Sequence, residues 1–221
     1  MILYAAETII YLAFMGMDIC GIGQTTPLKY PAILLLCLST LDFREKKVTL
    51  ALCFTALADL FLLVLDRYYA AGIVCFLVVQ LLYAARLQEG RSAEKPSVFS
   101  FALSFLLPAS AGLIVCSSSG SGLTEGLAAA YITLFAVNLV QACLLAGRTG
   151  QRRWVLFAWG LALFFCCDLC VGLHNMPGMG GPALQRFADV AMWGFYLPGQ
   201  VLIRASAYPR DPDESPKEKT L

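Results

Sequence analysis

Asp59 and Asp168 are the residues of this chain whose type and setting point first to chemistry. Each interrupts an apolar run: Asp59 in Ala56-Leu57-Ala58-Asp59-Leu60-Phe61-Leu62-Leu63, and Asp168 in Phe164-Phe165-Cys166-Cys167-Asp168-Leu169. An ionisable side chain at mid-bilayer costs about 2.5–3.5 kcal/mol on insertion scales, so one placed there is a functional candidate by default. Two carboxyls sharing a low-dielectric site favour a state in which one keeps its proton while the other is charged. Such a pair can protonate a substrate and stabilise the cation that results.

The elements that must position them follow from composition. The 221 residues are 59% hydrophobic and 14% charged, with a mean hydropathy of +0.71, which is too apolar for a water-soluble domain of this length. A bilayer core takes about 20 apolar residues per helix. Runs of that kind lie at Ile2 to Cys20, Tyr30 to Phe43, Val48 to Leu65, Tyr69 to Ala85, Val98 to Cys116, Leu123 to Ala146, Trp154 to Leu173 and Leu184 to Ser206, the second being short. Glycines, prolines and charges separate them. The sequence therefore predicts an all-α polytopic membrane bundle of about eight spans, one domain over residues 1–207. A polar, proline-bearing tail at 208–221 lacks the apolar residues to pack and is expected to be disordered.

Charge gives the orientation, because cytoplasmic loops accumulate Lys and Arg. Alternate segments carry Arg44, Lys46 and Lys47; Arg86, Arg91 and Lys95; Arg148, Arg152 and Arg153; and Arg204, Arg210, Lys217 and Lys219. The other set carries Lys29, Arg67 and Arg186. Both termini are expected in the cytoplasm, in the plasma membrane if the cell is bacterial. The first run has no positive leader and carries Glu7 and Asp18, so it reads as a span rather than a cleaved signal.

Counted from their cytoplasmic ends, Asp59 lies about 12 residues or roughly 18 Å along its helix, and Asp168 about 15 residues or roughly 22 Å along its own. The carboxyls are thus expected at similar depth. Polar residues on other helices recur at one-face spacing: Asp189, Trp193, Tyr196, Gln200 and Arg204 on the last; Tyr131, Asn138 and Gln141 on the sixth; Gln80 and Tyr83 on the fourth; Glu7, Tyr11 and Asp18 on the first. A polar-lined site and bundle-stabilising hydrogen bonds are the two readings of these stripes.

Other chemistries find little support. One histidine, His174, in a predicted loop, and cysteines buried in apolar runs do not make a zinc site. There is no Gly-x-Ser-x-Gly elbow. No cofactor is expected, and a net charge of +1 gives no reason to expect nucleic acid.

Taken in order, Lys29-Tyr30-Pro31, Ala58-Asp59-Leu60-Phe61-Leu62, Gly72-Ile73-Val74-Cys75-Phe76 through Gln80 to Tyr83, Tyr131 to Gln141, Gly160 to Asp168 and Tyr196 to Gln200 resemble the YhhN-like lysoplasmalogenase family. The family usually has Gly where this chain has Ala58, His where it has Gln80, and Ser where it has Cys167. The resemblance implies an eight-helix enzyme that cleaves the vinyl ether bond of lysoplasmalogens, a lysophospholipid substrate drawn from the bilayer. A fatty aldehyde and a glycerophospho-alcohol would be released.

That reaction suits the residues, since it begins with protonation of carbon to an oxocarbenium ion that water attacks. One of Asp59 and Asp168 would supply the proton and the other stabilise the cation. Lys29 would hold the phosphate, opening the site toward the non-cytoplasmic half, with Tyr83, Asn138, Tyr196 and Gln200 positioning the glycerol and Gln80 and Tyr131 as further substrate-binding residues. A transporter or non-catalytic lipid-binding protein is the alternative. Asp59-Leu60 then Gln80-Leu81 faintly echoes Asp168-Leu169 then Gln200-Val201, as in carriers built from parallel repeats.

Overall fold

The computed structural model describes residues 2–41, 45–91, 98–118, 120–175 and 181–208. The predicted tail beyond Tyr208, and the loop charges Arg44 and Lys95, lie outside the described residues. Among the described residues the chain forms helices joined by short turns, with no strands. Its helices are α1 (Ile2–Cys20), α2 (Thr26–Leu38), α3 (Lys46–Asp59), a π-helical segment (Leu60–Val64), α4 (Tyr69–Gly90), α5 (Val98–Cys116), α6 (Leu123–Thr149), α7 (Arg152–Asn175) and α8 (Pro182–Ala205).

Local chemistry sets the ends. Pro27 and Pro182 open α2 and α8, where the missing N–H costs no helical hydrogen bond. The Glu125 side chain accepts a hydrogen bond from the Gly122 N–H at 2.9 Å, capping α6. Gly150, at φ +63°, closes α6 with its N–H on the Ala146 carbonyl. Two sequence expectations shift: α2 begins at Thr26 rather than Tyr30, and His174 lies in the last turn of α7 rather than in a loop. The predicted third run is continuous in sequence yet changes winding directly after Asp59.

Four elements are long and apolar enough to cross a membrane by length and composition: Lys46–Val64, Tyr69–Gly90, Leu123–Thr149 and Arg152–Asn175. Thr26–Leu38 and Leu103–Cys116 are shorter apolar helices. Large apolar side chains such as Ile9, Leu106, Leu113 and Trp159 face outward, while Asp59, Gln80, Asn138 and Gln200 are buried. That reverses the arrangement of a soluble domain and suits lipid as the surrounding solvent.

The helices alternate in direction, which gives the bundle two distinct ends. At one, Arg86 of α4 binds Glu45 before α3 and donates to Ser206 beyond α8, at 2.8 Å to the hydroxyl and 2.9 Å to the carbonyl. Its guanidinium lies over Trp154 and Phe157 of α7. Lys47 pairs with Glu89, and Arg204 of α8 pairs with Glu7 of α1 at 3.0 Å. At the other end, Lys29 pairs with Asp18 at 2.8 Å, and Arg186 donates to the Ile19 carbonyl at 3.1 Å. These are called the arginine end and the lysine end below.

The interface between α7 and α8 is the most extensive in the bundle. It closes where glycines let the backbones touch. A Cβ on Gly160 would come within 2.8 Å of the Ile203 backbone N and 2.9 Å of the Gly199 carbonyl. Eight residues past Gly160 on α7 is Asp168, and three before Gly199 on α8 is Tyr196.

Candidate active site

The two aspartates are each held by one tyrosine from another helix. Tyr196 of α8 donates to Oδ2 of Asp59 at 2.5 Å, and Tyr131 of α6 donates to Oδ2 of Asp168 at 2.5 Å. A chain of rings, Tyr196 to Phe164 to Phe76 to Tyr131, each within 5.8 Å of the next, joins the two bonds and places both carboxyls in one layer. No cation pairs with either among the described residues. Lys29 is engaged by Asp18.

Their settings differ. Asp59 is buried, at 7% exposure, and ends α3 where the winding loosens into the π segment. Such one-turn π segments commonly mark functional positions, because they turn a side chain out of the regular helical register. The segment packs on α4 through Leu62, whose side chain fills the space beside Gly72. Asp168 lies mid-helix in α7 and is partly exposed.

Aromatic rings wall the pair. Phe76 stacks at 5.7 Å from Tyr131 and 5.8 Å from Phe164, and Phe164 lies 5.5 Å from Tyr196. Trp193 meets Tyr196 edge-on at 5.4 Å. The rings fix the hydroxyls that address the carboxyls and supply apolar surface around them.

The family comparison bears on this constellation. The sequence profile of the YhhN family matches residues 1–207. The chain belongs to the YhhN family. No curated protein and no solved structure matches the chain. Within this YhhN member the resemblance motifs converge: Asp59, Phe76, Tyr131, Phe164, Asp168 and Tyr196 come from five helices and meet in one layer. Ala58 and Cys167, which replace the family's usual Gly and Ser, are both buried.

The remaining sequence candidates fall elsewhere. Gln80, Tyr83, Asn138 and Gln200 are fully buried nearer the arginine end. The Asn138 amide donates to the Gln80 side chain at 3.0 Å and to its carbonyl at 2.8 Å. The Gln80 Nε2, the Tyr83 hydroxyl, the Asn138 Oδ1 and both amide atoms of Gln200 have no hydrogen-bond partner among the described residues. Gln141 donates to Ser104 at 3.2 Å, a bond between α6 and α5. Lys29 sits on the opposite side of the aspartates, its Nζ 4.7 Å from the Trp193 ring. Asp189 leaves the α8 stripe: it is exposed and pairs with His174 at 2.7 Å. The first-helix stripe is structural, since Glu7, Tyr11 and Asp18 bond Arg204, the Gly194 carbonyl and Lys29 in turn.

Two residues outside the sequence-based site candidates stand near Asp59. Thr55 is fully buried one turn before Asp59, with an unpartnered hydroxyl. Tyr30 of α2 lies within electrostatic reach of Asp59. The i−4 spacing marks Thr55, and the tyrosine beside Lys29 marks Tyr30, but neither spacing alone separates them from packing residues.

Proposed function

We propose that this protein is a membrane-embedded hydrolase that cleaves the vinyl ether bond of lysoplasmalogens by carboxyl acid–base chemistry. The observation that carries the reading is the cation-free pair of aspartates, each steadied by a single tyrosine, in a member of the YhhN family. A buried carboxyl needed only for packing would be matched to a cation, as Glu7 is to Arg204.

In this reading one protonated carboxyl transfers its proton to the alkenyl carbon beta to the ether oxygen. The resulting oxocarbenium ion is stabilised by the other, anionic carboxyl and by the surrounding ring faces. Water adds to the cationic carbon, losing its proton to a carboxylate. The hemiacetal so formed collapses to fatty aldehyde and glycerophospho-alcohol. We assign the initial protonation to the more deeply buried Asp59 and the water step to Asp168. Tyr131 and Tyr196 position the two carboxyls.

The same reading takes the eight helices as eight spans with both termini cytoplasmic, so that the arginine end faces the cytoplasm. The test is aldehyde release from a lysoplasmalogen by the purified protein in detergent, with Asp59→Asn and Asp168→Asn beside it. Turnover by the wild type and its loss in both variants is the expected result. No turnover across head groups and pH would sink the hydrolase and leave lipid binding or transport.

A further inference from the structure

The polar groups on the two sides of the aspartate layer differ in how far they are satisfied, and the difference shows which way a substrate would lie. α3 and α8 run antiparallel and meet at the Asp59–Tyr196 bond. One turn toward the arginine end, about 6 Å away, α3 presents Thr55 and α8 presents Gln200. Both are fully buried, and the Thr55 hydroxyl and both Gln200 amide atoms lack partners. On α4 and α6 the same side of the aspartates carries Gln80, Tyr83 and Asn138, with further unpartnered donor and acceptor atoms. Leaving such groups unpaired costs about 1–3 kcal/mol each, so a layer holding several of them is built to receive a polar ligand. Their makeup of amides and hydroxyls, without a charge, matches hydroxyl and ester oxygens rather than an ion.

On the lysine side the polar equipment is already satisfied. Lys29 is bound to Asp18, which also accepts from Thr25 at 2.7 Å, and its Nζ rests on the Trp193 ring. An anion bound there would have to displace Asp18.

We infer that the layer of Thr55, Gln200, Gln80, Asn138 and Tyr83 is the subsite for the glycerol portion of a lysophospholipid, which therefore lies with its head group toward the arginine end. This rests on the hydrolase reading and deepens it. With the alkenyl carbons at the aspartates, the next glycerol oxygen lies three bonds beyond the ether oxygen and falls in the next layer. The phosphate then points to the arginine end, where Lys46 and Arg152 are exposed and stand outside the ion pairs that hold Lys47, Arg86 and Arg204. The sequence-based expectation of a phosphate at Lys29 is reversed, and Lys29 becomes a strut between α1, α2 and α8.

The experiment measures the Kd of two non-hydrolysable probes for the full-length protein in detergent: a saturated alkyl-ether lysophospholipid, and the matching alkyl methyl ether that lacks glycerophosphate. Gln200→Leu and the near-isosteric Thr55→Val are each expected to weaken the lysophospholipid about five- to tenfold, the worth of one good hydrogen bond. The methyl ether should be unaffected. Lys29→Met should shift both probes by the same factor. The inference is overturned if Gln200→Leu and Thr55→Val shift both probes equally, or if Lys29→Met selectively weakens the lysophospholipid. Because the readout is binding, failed turnover with selective Kd effects would remove the hydrolase reading and keep the subsite. Turnover without selective effects would do the reverse.

Discussion

The aspartate layer and the arginine end treat buried charge in opposite ways. Arg86 donates to both carboxylate oxygens of Glu45 and to two oxygens of Ser206 and lies over the Trp154 and Phe157 rings; Arg204 has Glu7. Asp59 and Asp168 have one tyrosine each and no cation. A charge matched by an opposite charge and several hydrogen bonds has little left to offer a ligand, whereas an under-matched carboxyl can still exchange a proton. On the proposed reading, chemistry belongs to the under-matched aspartate layer, and mechanical strength to the charge-paired arginine end.

Mutation separates the two. Asp59→Asn and Asp168→Asn are expected to lower aldehyde release by about 10²–10⁴-fold, the usual worth of a positioned acid or base, with the unfolding midpoint in detergent nearly unchanged. A large drop in that midpoint would erase the distinction. Arg86→Met should do the converse, costing about 3–5 kcal/mol because Glu45 is left with an unpaired charge. Denaturant unfolding checks this, and pairing it with Glu45→Met should recover much of the loss.

Within the aspartate layer, Tyr196→Phe should raise the activation free energy by about 1.5–3 kcal/mol, the value of a hydrogen bond to a charged group. Tyr131→Phe should do less, since Asp168 is less deeply buried than Asp59 and leans less on a single donor. Equal effects would show that the two settings are equivalent. Smallest is Gly160→Ala, whose Cβ would press on the Ile203 and Gly199 backbones. Overpacking of this kind costs about 1–3 kcal/mol, and by parting α7 from α8 it should lower stability and turnover together.

Apolar run length and charge alternation placed the helices well: α1 and α5 have the bounds read from sequence, and the rest differ by a few residues at their ends. Burial of Asp59, Gln80, Asn138 and Gln200 was also legible, because a polar residue on an otherwise apolar helix has nowhere else to go in lipid. The π winding after Asp59 was not, since Leu60–Val64 is an ordinary apolar run whose winding depends on what it packs against, here Gly72.

By itself, then, the sequence determined the number, length and alternating direction of the helices and named the two aspartates, since these follow from hydropathy and period along one chain. Only the tertiary structure decided the partners: Tyr196 for Asp59, Tyr131 for Asp168, and Asp18 for Lys29. Helical periodicity tells which residues share a face but not which helix that face meets. That choice is made by close approaches such as Gly160 against Gly199, where the absence of a side chain lets two backbones settle into contact.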